Sequence, residues 1–177
     1  TDGNYYKVVK IGDQVWMAEN LKTTKYNDGT AIPYGAGNLG CSLITPAYAW
    51  INNNTDNKDT YGALYNCYAV NTNKLCPNGY HMPSDAEWKT LEMALGMTQT
   101  AADATQWRGT DQGTQMKATS GWINSGGGTN TSGFSALPAG YRNPYNCSDW
   151  PYSQGNWWSS TQGSVEASWF RRMESGY

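Results

Sequence analysis

The sequence predicts a single α+β domain, spanning 1–177, on three observations. An alternating segment with a turn at its centre opens the chain. A well-punctuated helix lies midway, and the last quarter is dense in aromatic residues broken by Gly, Ser and Asn. Period-two alternation marks strands, capped 3.6-residue spacing marks helices, and aromatic stretches between turn residues favour short strands. We see no internal repeat and no linker that would divide the chain.

In the opening hairpin Tyr6, Val8 and Lys10 alternate with Tyr5, Lys7 and Val9. Ile11-Gly12-Asp13 supplies the turn, and Gln14 to Met17 returns. Asn27-Asp28-Gly29 is a second turn, ahead of Pro33. Residues 34–59 are rich in Gly, Asn, Asp and Thr and read as a long surface excursion, pinned by Cys41 and Trp50. A first helix is expected where Tyr61, Leu64, Tyr65 and Tyr68 recur at i, i+3, i+4 and i+7, an aromatic stripe suited to a core. A second follows Pro83. Ser84 and Glu87 fit a capping box, Trp88, Leu91 and Leu95 form its buried face, and Gly96 suits the left-handed C-terminal position. Residues 97–132 hold a short helix near Gln115 to Ala118 and a flexible turn at Ser125-Gly126-Gly127-Gly128-Thr129. Beyond Gly133 short strands separated by loops are expected.

Composition excludes several functions. Only 38% of residues are hydrophobic, yet 9 Trp and 13 Tyr stand against 2 Phe, so amphipathic aromatics must supply core volume. Charged residues make up 15%, the net charge is -2, and no basic stripe exists, so the electrostatic footprint of a nucleic-acid binder is missing. No run of about 18 apolar residues is present to span a membrane. The chain starts at Thr1 and reads as a processed or excised form, with any targeting signal out of view. Low charge with abundant Tyr, Trp, Asn, Thr and Gly suits an exported bacterial protein.

Cysteines at 41, 67, 76 and 147 allow two disulfides in three connectivities, or buried free thiols. Zinc is disfavoured, because no Cys-x-x-Cys pair exists and His81 is the only histidine. His81, in a turn-rich approach to a helix, suits a backbone hydrogen bond better than a catalytic pair. The acidic residues offer no pair placed to flank a glycosidic bond, and the glycine run lacks the Lys-Ser/Thr of a phosphate loop. Asn52 to Asp59 is rich in oxygen ligands but matches no calcium-loop spacing, so no cofactor is expected. The chain reads as non-enzymatic.

Binding is the stronger reading of the tail. Arg142, Asn143, Tyr145, Asn146, Ser148, Asp149, Trp150 and Tyr152 crowd one loop, and Ser168, Phe170, Arg172, Glu174 and Tyr177 follow near the end. Tyr, Trp and Arg are enriched at interface hot spots, and Ser, Gly and Asn give adaptable hydrogen bonding. Trp157 and Trp158 read as core residues that hold this tail down. The ligand would be a protein or a glycan. The alternative is a structural subunit of a surface fibre or shell, with the aromatic tail buried between protomers in an oligomer.

The segments KIGDQVWMAENLKTTKYNDGTAIP, TYGALYNCYAV, LCPNGYHMPSDAEWKTLE, GFSALPAGYRN and NWWSST resemble, in order, the Fibrobacter succinogenes major paralogous domain family. The GFSALPAGYR and WWSS motifs are similar to those of the formylglycine-generating enzyme, a variant of the C-type lectin fold. The resemblance implies that fold, with two main helices, short antiparallel strands and long loops. It also implies an exported protein, extracellular or on a cell surface or virion, of Bacteroidetes or their relatives. Similar domains are targets of diversity-generating retroelements, which rewrite adenine-rich codons such as those of Asn but do not reach Trp. The tail resembles that pattern: Trp157, Trp158 and Trp169 are interleaved with Asn143, Tyr145, Asn146, Cys147, Ser148, Asp149, Ser168, Phe170 and Arg172. The resemblance therefore implies fixed aromatics inward and a variable ligand-binding face, 133–177, outward. The chain departs from the family in three ways. Cys67 stands where Trp is common and could pair privately with Cys147, the usual final strand reading roughly GFSVRC is not present, and the paired catalytic cysteines of the enzyme have no counterpart. The calcium triplets of mannose-type lectins are likewise missing.

Overall fold

A two-residue turn closes the first hairpin. Strand β1 (Val8–Ile11) pairs antiparallel with β2 (Gln14–Met17), with Ile11 opposite Gln14. Gly12 takes φ +58 at the first turn position, where a side chain would be strained. A Cβ there would also stand 3.1 Å from Ala94 Cβ, so the turn sits against the end of a helix. The computed structural model describes residues 2–35, 43–143, 150–164 and 167–176.

The predicted surface excursion contains a buried strand. β3 (Tyr48–Trp50) pairs antiparallel with β4 (Ala63–Tyr65), and Ala47, Ala49, Trp50 and Ile51 are all buried. Cys41 lies outside the described residues. The expected continuous helix through Tyr61 to Tyr68 is broken in two: α1 (Lys58–Tyr61) ends before β4, and α2 (Cys67–Val70) follows it. The break has a physical cause. Gly62 adopts φ +71, and a Cβ there would fall 2.7 Å from both Asn20 Cβ and Leu21 O. Asn66 then starts α2 afresh, its Oδ1 accepting from Ala69 N at 3.0 Å and from Ala47 N at 3.1 Å. Pairing with β3 overrides the helical spacing.

α3 (Asp85–Ala94) is the longest described helix and forms as the sequence predicts. Ser84 and Glu87 close the capping box, Trp88 and Leu91 are buried, and Gly96 takes φ +96. A short α4 (Gln99–Asp103), capped by Thr98, was not foreseen, and the helix expected near Gln115 to Ala118 is α5 (Gln112–Met116). The expectation of two main helices is thus corrected: one helix of 10 residues is accompanied by pieces of 4 or 5. The glycine run also differs from expectation. A Cβ on Gly126 would fall 2.3 Å from Ser175 O, and one on Gly128 would fall 2.2 Å from Thr114 O. These glycines permit close backbone packing instead of a flexible turn.

The C-terminal region forms a long hairpin, β5 (Gln154–Ser164) with β6 (Ala167–Glu174), whose register shifts between Trp158 and Gln162 and again before Ser164. Successive tryptophans enter two different cores. Trp157 packs on a cluster of Ile11, Trp88, Leu91, Met116, Phe134 and Met173. Trp158 packs on Tyr26, Ile32, Tyr65, Val70 and Leu75. Both indoles are satisfied, Trp157 Nε1 donating to Asn20 Oδ1 at 3.1 Å and Trp158 Nε1 to Tyr65 O at 2.8 Å. This is an α+β arrangement of three two-stranded antiparallel sheets among the described residues, joined by the C-terminal hairpin.

Candidate ligand-binding site

A buried ion cluster fixes the hairpin against α3. Arg171 Nε donates to Glu92 Oε1 at 2.7 Å, and Arg171 Nη1 lies 2.8 Å from Asp85 Oδ1. Arg108 Nη2 reaches both Glu92 oxygens, at 3.0 and 2.9 Å. Lys89 bridges Asp85 and Asp103. Burial alone would raise the Asp85 carboxyl, but hydrogen bonds from Arg171 and Lys89 outweigh it and hold the group below its ordinary value. Three further hydrogen bonds tie β5 to the start of α3: Ser160 N to Pro83 O, Asp85 N to Thr161 Oγ1, and Trp88 Nε1 to Trp158 O.

With Ser168, Arg171 and Met173 buried, Trp169, Phe170 and Arg172 of β6 are left outward. Trp169 is 44% exposed, so its assignment as an inward-facing scaffold residue is corrected: the irregular register turns it out beside Phe170, 48% exposed. Arg142 and Ser168 also depart from their expected place on a recognition surface. Arg142 is only 8% exposed and donates to Asn53 Oδ1 and Trp50 O. Ser168 is 5% exposed and donates to Asn71 Oδ1 at 3.1 Å. Asn143 is half-buried. Trp150 is 51% exposed. Tyr152, at φ +68, packs edge-on against Tyr61. Arg172 pairs with Glu174 and lies 5.8 Å over the exposed Trp107 ring. Tyr145, Asn146, Ser148, Asp149 and Tyr177 lie outside the described residues, as does Cys147.

A cavity of about 1060 Å³ opens beside this hairpin. That is just above the roughly 300–1,000 Å³ typical of small-molecule sites. Phe170, Trp158, Trp157 and Arg142 contribute from the tail. Phe134 adds to these, but most of the wall comes from earlier in the chain: Trp16 on β2, Leu21, Ile44, Leu64 on β4 and Tyr80. Sequence reasoning missed these residues because it looked for the site in one contiguous stretch. Val15, Ile44 and Tyr80 are exposed apolar residues of the wall, but they sit in segments read as hairpin, plain loop and turn.

At the border of the cavity His81 Nε2 lies 2.7 Å from Glu87 Oε1, while Ser84 Oγ and Ser84 N donate to Glu87 Oε2 at 2.8 and 2.7 Å. Serine and imidazole both address the carboxylate, not each other, which is the geometry of a helix cap. Burial raises the Glu87 carboxyl, but the Ser84 backbone N–H and the His81 ring outweigh it and bring it below its ordinary value. Cys76 also lines the cavity as a free thiol, and burial pushes its pKa up to about 11, which keeps it protonated and unreactive. It is not bonded to Cys67. Among the described residues no group of three His, Cys, Asp or Glu is placed to hold a metal, and no helix is long and apolar enough to cross a membrane.

An α+β domain of small sheets, with a clamped hairpin bordering a large apolar cavity, is therefore the class of protein in hand. The sequence model of the Fibrobacter succinogenes major domain matches residues 9–177, and the chain belongs to that family. No curated protein and no solved structure matches it.

Proposed function

We propose that this chain is a non-enzymatic ligand-binding domain of C-type lectin-like fold, working outside the cell or on a cell, pilus or virion surface. The observation that carries this reading is the meeting of two features: the outward face of β6, with Phe170, borders the apolar cavity of about 1060 Å³. A protein or glycan held there would contact rigid aromatic surface mounted on a hairpin clamped to two cores. Trp150, Trp169 and Arg172 extend the contact surface beyond the cavity. The interleaving of Trp with Asn, Ser and Tyr in the tail supports diversification by a retroelement. Sequencing the gene neighbourhood tests that part, with a reverse transcriptase beside a near-duplicate template repeat as the expected result.

The binding reading is tested on a combined glycan and protein array with the wild-type chain and Phe170→Ala. Ligands retained by wild type and weakened about tenfold or more by the substitution are expected, as for a hot-spot aromatic. Binding unchanged by Phe170→Ala would place the site elsewhere. The exposed Trp107, Trp150 and Trp169 favour, as second reading, a shell or fibre subunit. That reading expects assemblies whose interfaces bury about 1,600 Å² or more, measured by light scattering and disrupted by Trp169→Ser.

A further inference from the structure

We infer that the cavity takes a peptide segment carrying aromatic or aliphatic side chains with a Lys or Arg beside them, and not a glycan; this rests on the binding reading above. The ground is the state of the polar groups in its wall. Asn20 is consumed on both sides, Nδ2 donating to Tyr61 O at 2.9 Å and Oδ1 accepting from Trp157 Nε1 at 3.1 Å. Asn66 is likewise consumed, by Ala47 N, Ala69 N and Thr45 O. Gln14 accepts from Trp16 Nε1 at 3.2 Å and donates to Glu87 O at 3.2 Å. Arg142 is committed to Asn53 and Trp50.

A sugar arrives with a hydroxyl on nearly every carbon, and each one buried without a partner opposes binding. The amides of this wall offer such hydroxyls few partners, because they already hold the scaffold together. Among them Asn156 is the exception: it lines the cavity, and its Nδ2 is buried without a partner. Tyr61, Tyr68, Tyr80 and Tyr141 add single hydroxyls at the tips of apolar rings, which serve a backbone carbonyl as readily as a sugar. One unmet donor fits an occasional backbone carbonyl better than a ring of hydroxyls.

Charge selects further. Among the described residues the charged groups bordering the cavity are Glu19, Glu87 and Arg142, with His81 set against Glu87. Arg142 is 8% exposed and turned to Asn53 and Trp50, which leaves the half-exposed Glu19 as the accessible charge of the rim. Glu19 has its ion-pair partner Lys7 at 3.9 Å, with side-chain exposures of 35% and 84%, so that contact is solvent-screened. A ligand cation near Glu19 is therefore favoured, and an acidic flank is repelled.

The test uses the whole chain on an array of 12-residue peptides, in which aromatic and aliphatic content is varied with Lys, Gly or Asp flanks, printed beside a glycan set. Circular dichroism first confirms that Phe170→Arg and Glu19→Lys fold as wild type does. The expected order is Lys-flanked over Gly-flanked over Asp-flanked, with the spread shrinking at high salt. Phe170→Arg should weaken these peptides about tenfold or more, and Glu19→Lys should remove or invert the flank preference. Glycans bound in a Phe170-dependent way, with no peptide so bound, would overturn the peptide inference while leaving the binding reading intact. Peptides that bind without any flank preference would overturn the charge selection. An array on which neither class depends on Phe170 would overturn the cavity as the site altogether.

Discussion

The two terminal hairpins are built by different means. β1–β2 is four residues on each side, closed by a two-residue glycine turn, and its outer face carries exposed Val8 and Val15. β5–β6 is 11 residues against 8, its register is irregular, and it is fixed by Trp157, Trp158 and an ion cluster on α3. A short regular hairpin is specified by its turn and its alternation. A long irregular one needs distant partners at every point where its register slips. The second kind can leave adjacent aromatics such as Trp169 and Phe170 outward, which regular alternation forbids.

The comparison is broken most strongly by removing the clamp. Glu92→Ala leaves the buried Arg171 and the half-buried Arg108 with a missing counter-charge, and about 3–5 kcal/mol of stability should be lost. Urea denaturation measures it, and amide exchange should rise first in β5–β6. Trp157→Ala empties a half-buried site in the first core and strands Asn20 Oδ1, for a loss of about 3 kcal/mol on the same assay. Gly12→Ala attacks the other hairpin, at φ +58 and beside Ala94. It should cost about 1 kcal/mol and raise exchange in β1–β2 alone.

The smallest effect is read by acid titration. Asp85 is held below its ordinary carboxylate value, so its contribution is full above the unfolded pKa of about 3.9 and fades as pH falls through the folded value. Stability should therefore decline below about pH 4. Asp85→Asn should flatten that decline, because the titrating group is gone. Exchange in β1–β2 that follows the acid profile as closely as exchange in β5–β6 would contradict the separation of the two hairpins.

Much of the frame was legible from the chain. The turn at Gly12, the capping box at Ser84 and Glu87, and the left-handed Gly96 are local devices, decided by residues within a few positions of one another. The stripe Tyr61, Leu64, Tyr65 and Tyr68 misled, because Gly62 has to pack on Asn20 and Leu21, far away in sequence. Trp157 and Trp158 could be recognised as scaffold from their setting, whereas Trp169 and Arg142 could not be placed. Their exposure depends on a register shift and on Trp50 and Asn53, 92 and 89 residues before Arg142. The cavity wall was hidden for the same reason, since it is assembled from β2, β4, the 79–83 segment and the C-terminal hairpin.

By itself, the sequence determined the α+β class, the first hairpin, the capped helix and, through its ordered motifs, the family. These depend on turn chemistry, capping and periodicity, which act over a few residues. Tertiary structure alone decided which tail residues face out, how the glycine run packs and where the apolar cavity lies. Those are outcomes of contacts between segments far apart in the chain, where burial and hydrogen-bond satisfaction override local preference.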